Sequence, residues 1–76
     1  MDYILEEEQK KIKENLAASF IRCRRMQNMT QNELAQRTGI ARSNIARFES
    51  GKYNPTVEFL VKVCKALGKD LSIELI

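Results

Sequence analysis

Residues 29–55 read MTQNELAQRTGIARSNIARFESGKYNP, and the fold turns on how this stretch is parsed. Thr30 followed three residues on by Glu33 is a capping box. The hydroxyl accepts a backbone N–H, and the carboxylate reaches back to the cap's own N–H. A helix therefore starts after Thr30, with Leu34 and Ala35 inward, and stops at Gly39 in the left-handed conformation. Ile40 is the apolar residue of the turn. A further helix over 42–49 follows, with Ile45 and Phe48 inward and Arg42, Ser43, Asn44, Ala46 and Arg47 outward, until Gly51 stops it. Both helices fall below the ~12–15 residues needed for stability in isolation, so flanking elements must hold them.

The flanks supply those elements. Residues 4–27 contain no Gly or Pro and read as one long helix. Leu5, Ile12, Leu16, Phe20, Cys23 and Met26 form its apolar stripe at helical steps. Acids in its first turns and arginines in its last suit the helix dipole. At 24 residues it would be ~36 Å long, so residues 1–13 are expected to project beyond the core or to fray. After the loop Lys52–Thr56, Thr56 caps a fourth helix over 57–67. There Val57, Leu60, Val61, Cys64 and Leu67 recur at helical spacing, and Gly68 closes it. In the tail, Leu71, Ile73 and Leu75 alternate with polar residues, the period of a strand. A lone strand leaves its N–H and C=O groups unpaired. Two readings stand: the same strand of a second copy pairs with it about a two-fold axis, or the tail lies as an apolar segment against the first helix.

Seventy-six residues make one domain, and a chain this short buries only ~60% of its unfolded surface. Its parts are an N-terminal helical extension at 1–14, the paired helices at 30–49 and the strand-like tail at 70–76. The net charge of +3 is unevenly placed. Residues 1–14 carry five acids against three lysines. Residues 15–56 carry Arg22, Arg24, Arg25, Arg37, Arg42, Arg47 and Lys52 against only Glu33 and Glu49. Arginine's planar fork suits phosphate and guanine, so the excess points toward a nucleic acid.

Other classes are excluded by what is lacking. Two Cys and no His cannot supply the roughly four ligands of a zinc site, and no cofactor is expected. There is no His for acid–base work and no phosphate-cradling Gly loop, so the chain is not read as an enzyme. Cys23 and Cys64 read as free thiols packed in the core. No run of ~18 apolar residues is present, so no membrane span is expected. The N-terminus is acidic before it is basic, the wrong order for a signal peptide, and a cytoplasmic location is the expectation.

Residues 19–68 resemble the phage-repressor/Cro, or XRE-like, type of helix-turn-helix. The resemblance rests on TQNELA, the Gly39-Ile40 turn, ARSNIARFESGK and NPT with the LVKVCKALG helix. It implies an all-α, lambda-repressor-like bundle of four or five helices binding double-stranded operator DNA as a homodimer. By the resemblance Arg42, Ser43, Asn44, Ala46 and Arg47 read bases. Gln31, by its side chain or by its backbone N–H at the helix start, Ser50 and Lys52 contact phosphate, and Arg24 and Glu49 form a structural ion pair. Leu71, Ile73 and Leu75 are the dimerisation candidates. Two positions depart from the pattern. Ala41 stands where relatives carry a capping Ser or Thr, which costs ~1 kcal/mol. Thr38 stands where relatives bury an aliphatic residue, so its hydroxyl needs a partner, such as a carbonyl one turn back. The functional expectation is a sequence-specific transcriptional regulator, acting as a repressor. The alternative is an antitoxin that binds a toxin protein and also regulates its own promoter.

Overall fold

The structure, a computed structural model, describes residues 3–76. Residues 1 and 2, the start of the expected extension, lie outside the described residues. Four helices follow one another: α1 (Tyr3–Met26), α2 (Gln31–Thr38), α3 (Arg42–Glu49) and α4 (Val57–Ala66). α2 packs on both α3 and α4, and α1 packs on α3.

Each helix stops for a stated reason. α1 ends where Asn28 takes a left-handed conformation with φ 55°. Asn28 N–H then bonds Arg25 O at 3.0 Å, and Met29 N–H bonds Arg24 O at 3.1 Å. This double closure satisfies carbonyls that a helix end leaves open. It also turns Met29 into the core, where it is buried. The capping box of α2 is complete: Thr30 Oγ1 accepts from Glu33 N–H at 3.0 Å, and Glu33 Oε1 accepts from Thr30 N–H at 3.0 Å. Gly39 closes α2 with φ 74°. Thr38 meets its need for a partner by donating to Leu34 O at 2.8 Å, one turn back. Its oxygen accepts from Ile40 N–H at 3.1 Å and so shapes the turn between α2 and α3.

The Thr30 N–H bond to Glu33, followed by the hydroxyl bond, holds the Glu33 carboxyl below its ordinary value. A lowered folded-state pKa means stability present above the unfolded value of ~4.3 and lost as pH falls through the folded one. Glu33→Gln keeps the acceptor but removes the titration. Melting curves between pH 7 and pH 3 should therefore show a shallower acid loss in E33Q than in the wild type. Parallel curves would exclude a contribution from the cap's charge.

The core is organised by aromatic rings. Phe20 of α1 meets Phe48 of α3 edge-on at 5.2 Å, and Phe48 meets Phe59 of α4 at 5.2 Å. Tyr53, in the loop, continues the series 5.0 Å from Phe59. Such pairs contribute ~0.5–1.5 kcal/mol each beyond their buried area. Leu34, Ile45, Leu60, Val63, Cys64 and Leu67 fill the space around them. Cys23 and Cys64 are free thiols, and burial pushes the Cys64 thiol up.

Three expectations need correction. In α1 only Phe20 of the expected stripe is fully buried, with Leu16 and Cys23 half-buried against the core. Leu5, Ile12 and Met26 are 48%, 64% and 78% exposed. α1 outruns the three short helices it serves, and Ala17 and Arg24 take inner positions instead. In α4 the inner face is Phe59, Leu60, Val63 and Cys64, while Val57 and Val61 face solvent. The run VEFLVKVC is apolar on more than one side, so its period fits two phases about equally well. In the tail no strand forms, nor is there a strand anywhere among the described residues. Leu71 is half-buried against the core, whereas Ile73 and Leu75 are exposed. Alternation alone makes no ladder; that takes a neighbouring strand, and the described residues supply none.

Candidate nucleic-acid interface

α3 is built to show one face. Ile45 is 1% exposed and Phe48 is fully buried, three residues apart on the inner side. Arg42, Ser43 and Arg47 are exposed on the outer side. Asn44 and Ala46 are half-buried at its margins. Asn44 lines a shallow groove with Gly39, Ile40, Ala41 and Tyr53. Ala41, at the cap position, makes no side-chain hydrogen bond. The helix is therefore held by its inner face and its C-terminus rather than by a cap.

That C-terminus is tightly closed. Gly51 N–H bonds Phe48 O at 3.0 Å, and Lys52 N–H bonds Arg47 O at 3.1 Å. Gly51 has φ 79°, and a Cβ there would lie 3.5 Å from the Glu14 side chain. The left-handed backbone favours glycine, while the space beside α1 would admit a Cβ in ordinary contact. The turn leaves the Lys52 side chain exposed just beyond the helix.

A buried polar network sets the angle of α3. Arg24 is 7% exposed. Its Nε donates to Glu49 Oε2 at 2.7 Å and its Nη2 to Glu49 Oε1 at 2.9 Å. This planar fork fixes two directions at once. Arg24 Nη1 also donates to Met29 O at 2.7 Å, tying in the loop before α2. Gln31 Nε2 donates to Glu49 Oε1 at 2.8 Å. The network thus joins α1, the start of α2 and the end of α3. Among the described residues no buried side-chain N or O atom lacks a partner. Glu49, the one acid of α3, is wholly occupied inside.

Two phosphate candidates have their side chains engaged within the protein. The Gln31 carboxamide N–H₂ is committed to Glu49, because that carboxylate is within reach and shielded from water. What Gln31 still offers is its backbone N–H at the first position of α2, which has no intrahelical acceptor. Ser50 donates its hydroxyl hydrogen to Arg47 O at 2.8 Å, a second donor to the carbonyl that Lys52 N–H also bonds. Lys52, Arg42 and Arg37 are exposed and form no ion pair with any of the described residues.

Tyr53 went unnoticed in the sequence. The Arg47 guanidinium lies over its ring, 5.9 Å from the centroid, near the outer limit of a cation–π contact. The only signal was an aromatic residue six positions after an outward arginine, across a turn of unknown shape. Met29 was missed as well; a residue between two helices gives no period to read.

The outer face of α3 thus presents two arginines, a serine hydroxyl and small neighbours, with Lys52 alongside and no exposed acid in the helix. Donors of this type can bond guanine O6 and N7 and phosphate oxygens, and a single helix fits a major groove ~12 Å wide. Among the described residues no helix is long and apolar enough to cross a membrane.

Residues 21–73 match a family described as helix-turn-helix. An uncharacterized HTH-type transcriptional regulator of Archaeoglobus fulgidus is 47% identical over 41 residues, 54% of this chain and 58% of that protein. The HTH-type regulator y4dJ of Sinorhizobium fredii is 36% identical over 53 residues, 70% of this chain and 69% of that protein. The cryptic phage CTXphi transcriptional repressor RstR of Vibrio cholerae is 41% identical over 64 residues, 84% of this chain and 52% of that protein. The matches thus span from 52% to 69% of the lengths of these relatives. A crystal structure of an HTH_3 family transcriptional regulator from Vibrio cholerae shares the fold, with a TM-score of 0.78 at 22% identity over 82% of this chain and 35% of that one.

Proposed function

The chain belongs to the helix-turn-helix family, and from that premise we propose that it is a sequence-specific transcriptional regulator that places α3 in the major groove of operator DNA as a homodimer. The observation that carries this reading is the division of α3: Ile45 and Phe48 are sealed inside while Arg42, Ser43 and Arg47 are exposed outside. Repression is favoured over activation by the relative named as a phage repressor. Arg42 and Arg47 are assigned to bases, Ser43 to a supporting contact, and Asn44 and Ala46 to the edges of the footprint. Lys52 and the Gln31 backbone N–H are assigned to phosphate. The antitoxin alternative drew on a strand in the tail; residues 69–76 form none, so the regulator is the reading carried forward.

The test compares two variants on the chain's own promoter DNA and on random DNA. Arg47→Ala should cut discrimination by about 5- to 150-fold, the ~1–3 kcal/mol of one bidentate guanine contact. Lys52→Ala should weaken both DNAs alike and reduce the salt slope by about 1 for each phosphate that the lysine no longer neutralises. Equal losses on both DNAs for R47A would remove the base-reading role, and an unaltered preference in both variants would refute the placement of α3.

A further inference from the structure

The N-terminal half of α1 has no job in the bundle described so far. From Tyr3 to Ile12 every residue is exposed, and Leu5 and Ile12 are large aliphatics on one face. Successive residues on a helix are separated by about 100°. Leu5, Gln9 and Ile12 therefore fall on one narrow stripe. Glu8 borders it on one side with Lys11 behind; Lys13 and Glu6 border it on the other with Lys10 behind, so the two lysines reach the seam only along their long stems. Lys13 is engaged within the chain, donating to Asn54 Oδ1 at 2.9 Å. Glu6, Glu7, Glu8, Lys10 and Lys11 form no ion pair with any of the described residues, where the pairs are Arg24–Glu49 and Lys65–Asp70.

We infer that this stripe is a self-association surface, on which a second copy's α1 lies antiparallel about a two-fold axis close to Gln9. The charge order along the helix argues for a second copy. In an antiparallel two-fold pair, like flanks meet and run in opposite directions. Glu8 then faces the partner's Lys11, and Glu6 faces the partner's Lys10. Leu5 falls beside the partner's Ile12, within about one residue of rise, ~1.5 Å. A parallel pair would set acid against acid and lysine against lysine.

The spacing is consistent with the proposed function, on whose dimeric reading this inference builds. Phe20, which packs α1 against Phe48 of α3, lies eleven residues from Gln9. At 1.5 Å per residue that is ~16.5 Å, and the two-fold axis doubles it to ~33 Å. Half-sites one turn of duplex apart are separated by ~34–36 Å. A helix pair this short forms an interface at the small, weak end of specific association, with DNA adding to it when both halves bind.

The inference is tested without DNA, so that its failure is distinct from failure of the DNA-binding reading. Sedimentation equilibrium on the full chain, at concentrations up to about 1 mM, should show a mass rising toward twice the monomer. Two exposed-site variants are then compared, with circular dichroism checking that helix content is kept. E6K/E8K should be monomeric, and so should K10E/K11E, since each sets like charges face to face. Mixed in equal amounts, they should restore the doubled mass, because the flanks are then complementary. A wild type that stays monomeric throughout would overturn the inference. So would variants that each dimerise as the wild type does, or a mixture that remains monomeric.

Discussion

Replacing Arg24 by methionine should lower the thermal midpoint by more than about 12 °C, from ~3–5 kcal/mol of lost stability in a domain of this size. The side chain is nearly the right volume, so the loss is not one of packing. Glu49 would keep a charge in a site where its side chain is 8% exposed, with only Gln31 left to donate to it. Met29 O would lose its donor too. Such a loss is a large part of the ~5–15 kcal/mol that holds a whole domain folded. Removing both charges, in Arg24→Met with Glu49→Leu, should recover part of the deficit, since no ion is then left alone. A single variant melting within a few degrees of the wild type would show that the fork adds little, and α3 would need another source for its angle. Calorimetry at fixed pH and protein concentration reads both variants.

The second large effect is on binding rather than folding. Two copies bring about six exposed cations from Arg42, Arg47 and Lys52 to a duplex, and each phosphate neutralised releases counterions. The log–log slope of affinity against salt should be roughly −5. Between 50 and 200 mM salt the affinity should then fall about a thousand-fold. Fluorescence anisotropy on a labelled promoter fragment measures it directly. A slope near zero would mean that these cations do not meet the backbone, whatever the fold resembles.

The sequence carried the local devices well, because each is written in a few adjacent residues. Thr30 with Glu33, Thr38 with its own previous turn, and Gly39 at a helix end all depend on neighbours three to five positions away. The sequence could not carry what depends on distant approach. Gln31 meets Glu49 across eighteen residues, and Tyr53 meets Arg47 only because the turn at Gly51 folds the loop back. The phase of α4 was unreadable for a different reason: valines on its outer side mimic the inner face, and only the place taken by Phe59 against Phe48 decides. The tail failed as a strand because a period of two is a property of side chains. Pairing is a property of two backbones. For the interface, the exposed positions of α3 followed from the burial of Ile45 and Phe48. The commitments of Gln31 and Ser50 to the protein itself did not.

The inner and outer residues of α3 barely overlap: the ring of Phe48, the branch of Ile45 and the carboxylate of Glu49 belong to the scaffold, while Arg42 and Ser43 face outward and Arg47 reaches back only as far as the Tyr53 ring. The helix is in effect a cassette. Its outward letters can drift, or be rewritten by an engineer, toward a new target without jeopardising solubility or folding, and lineages built on this frame are free to diversify their addresses while the chassis stays fixed.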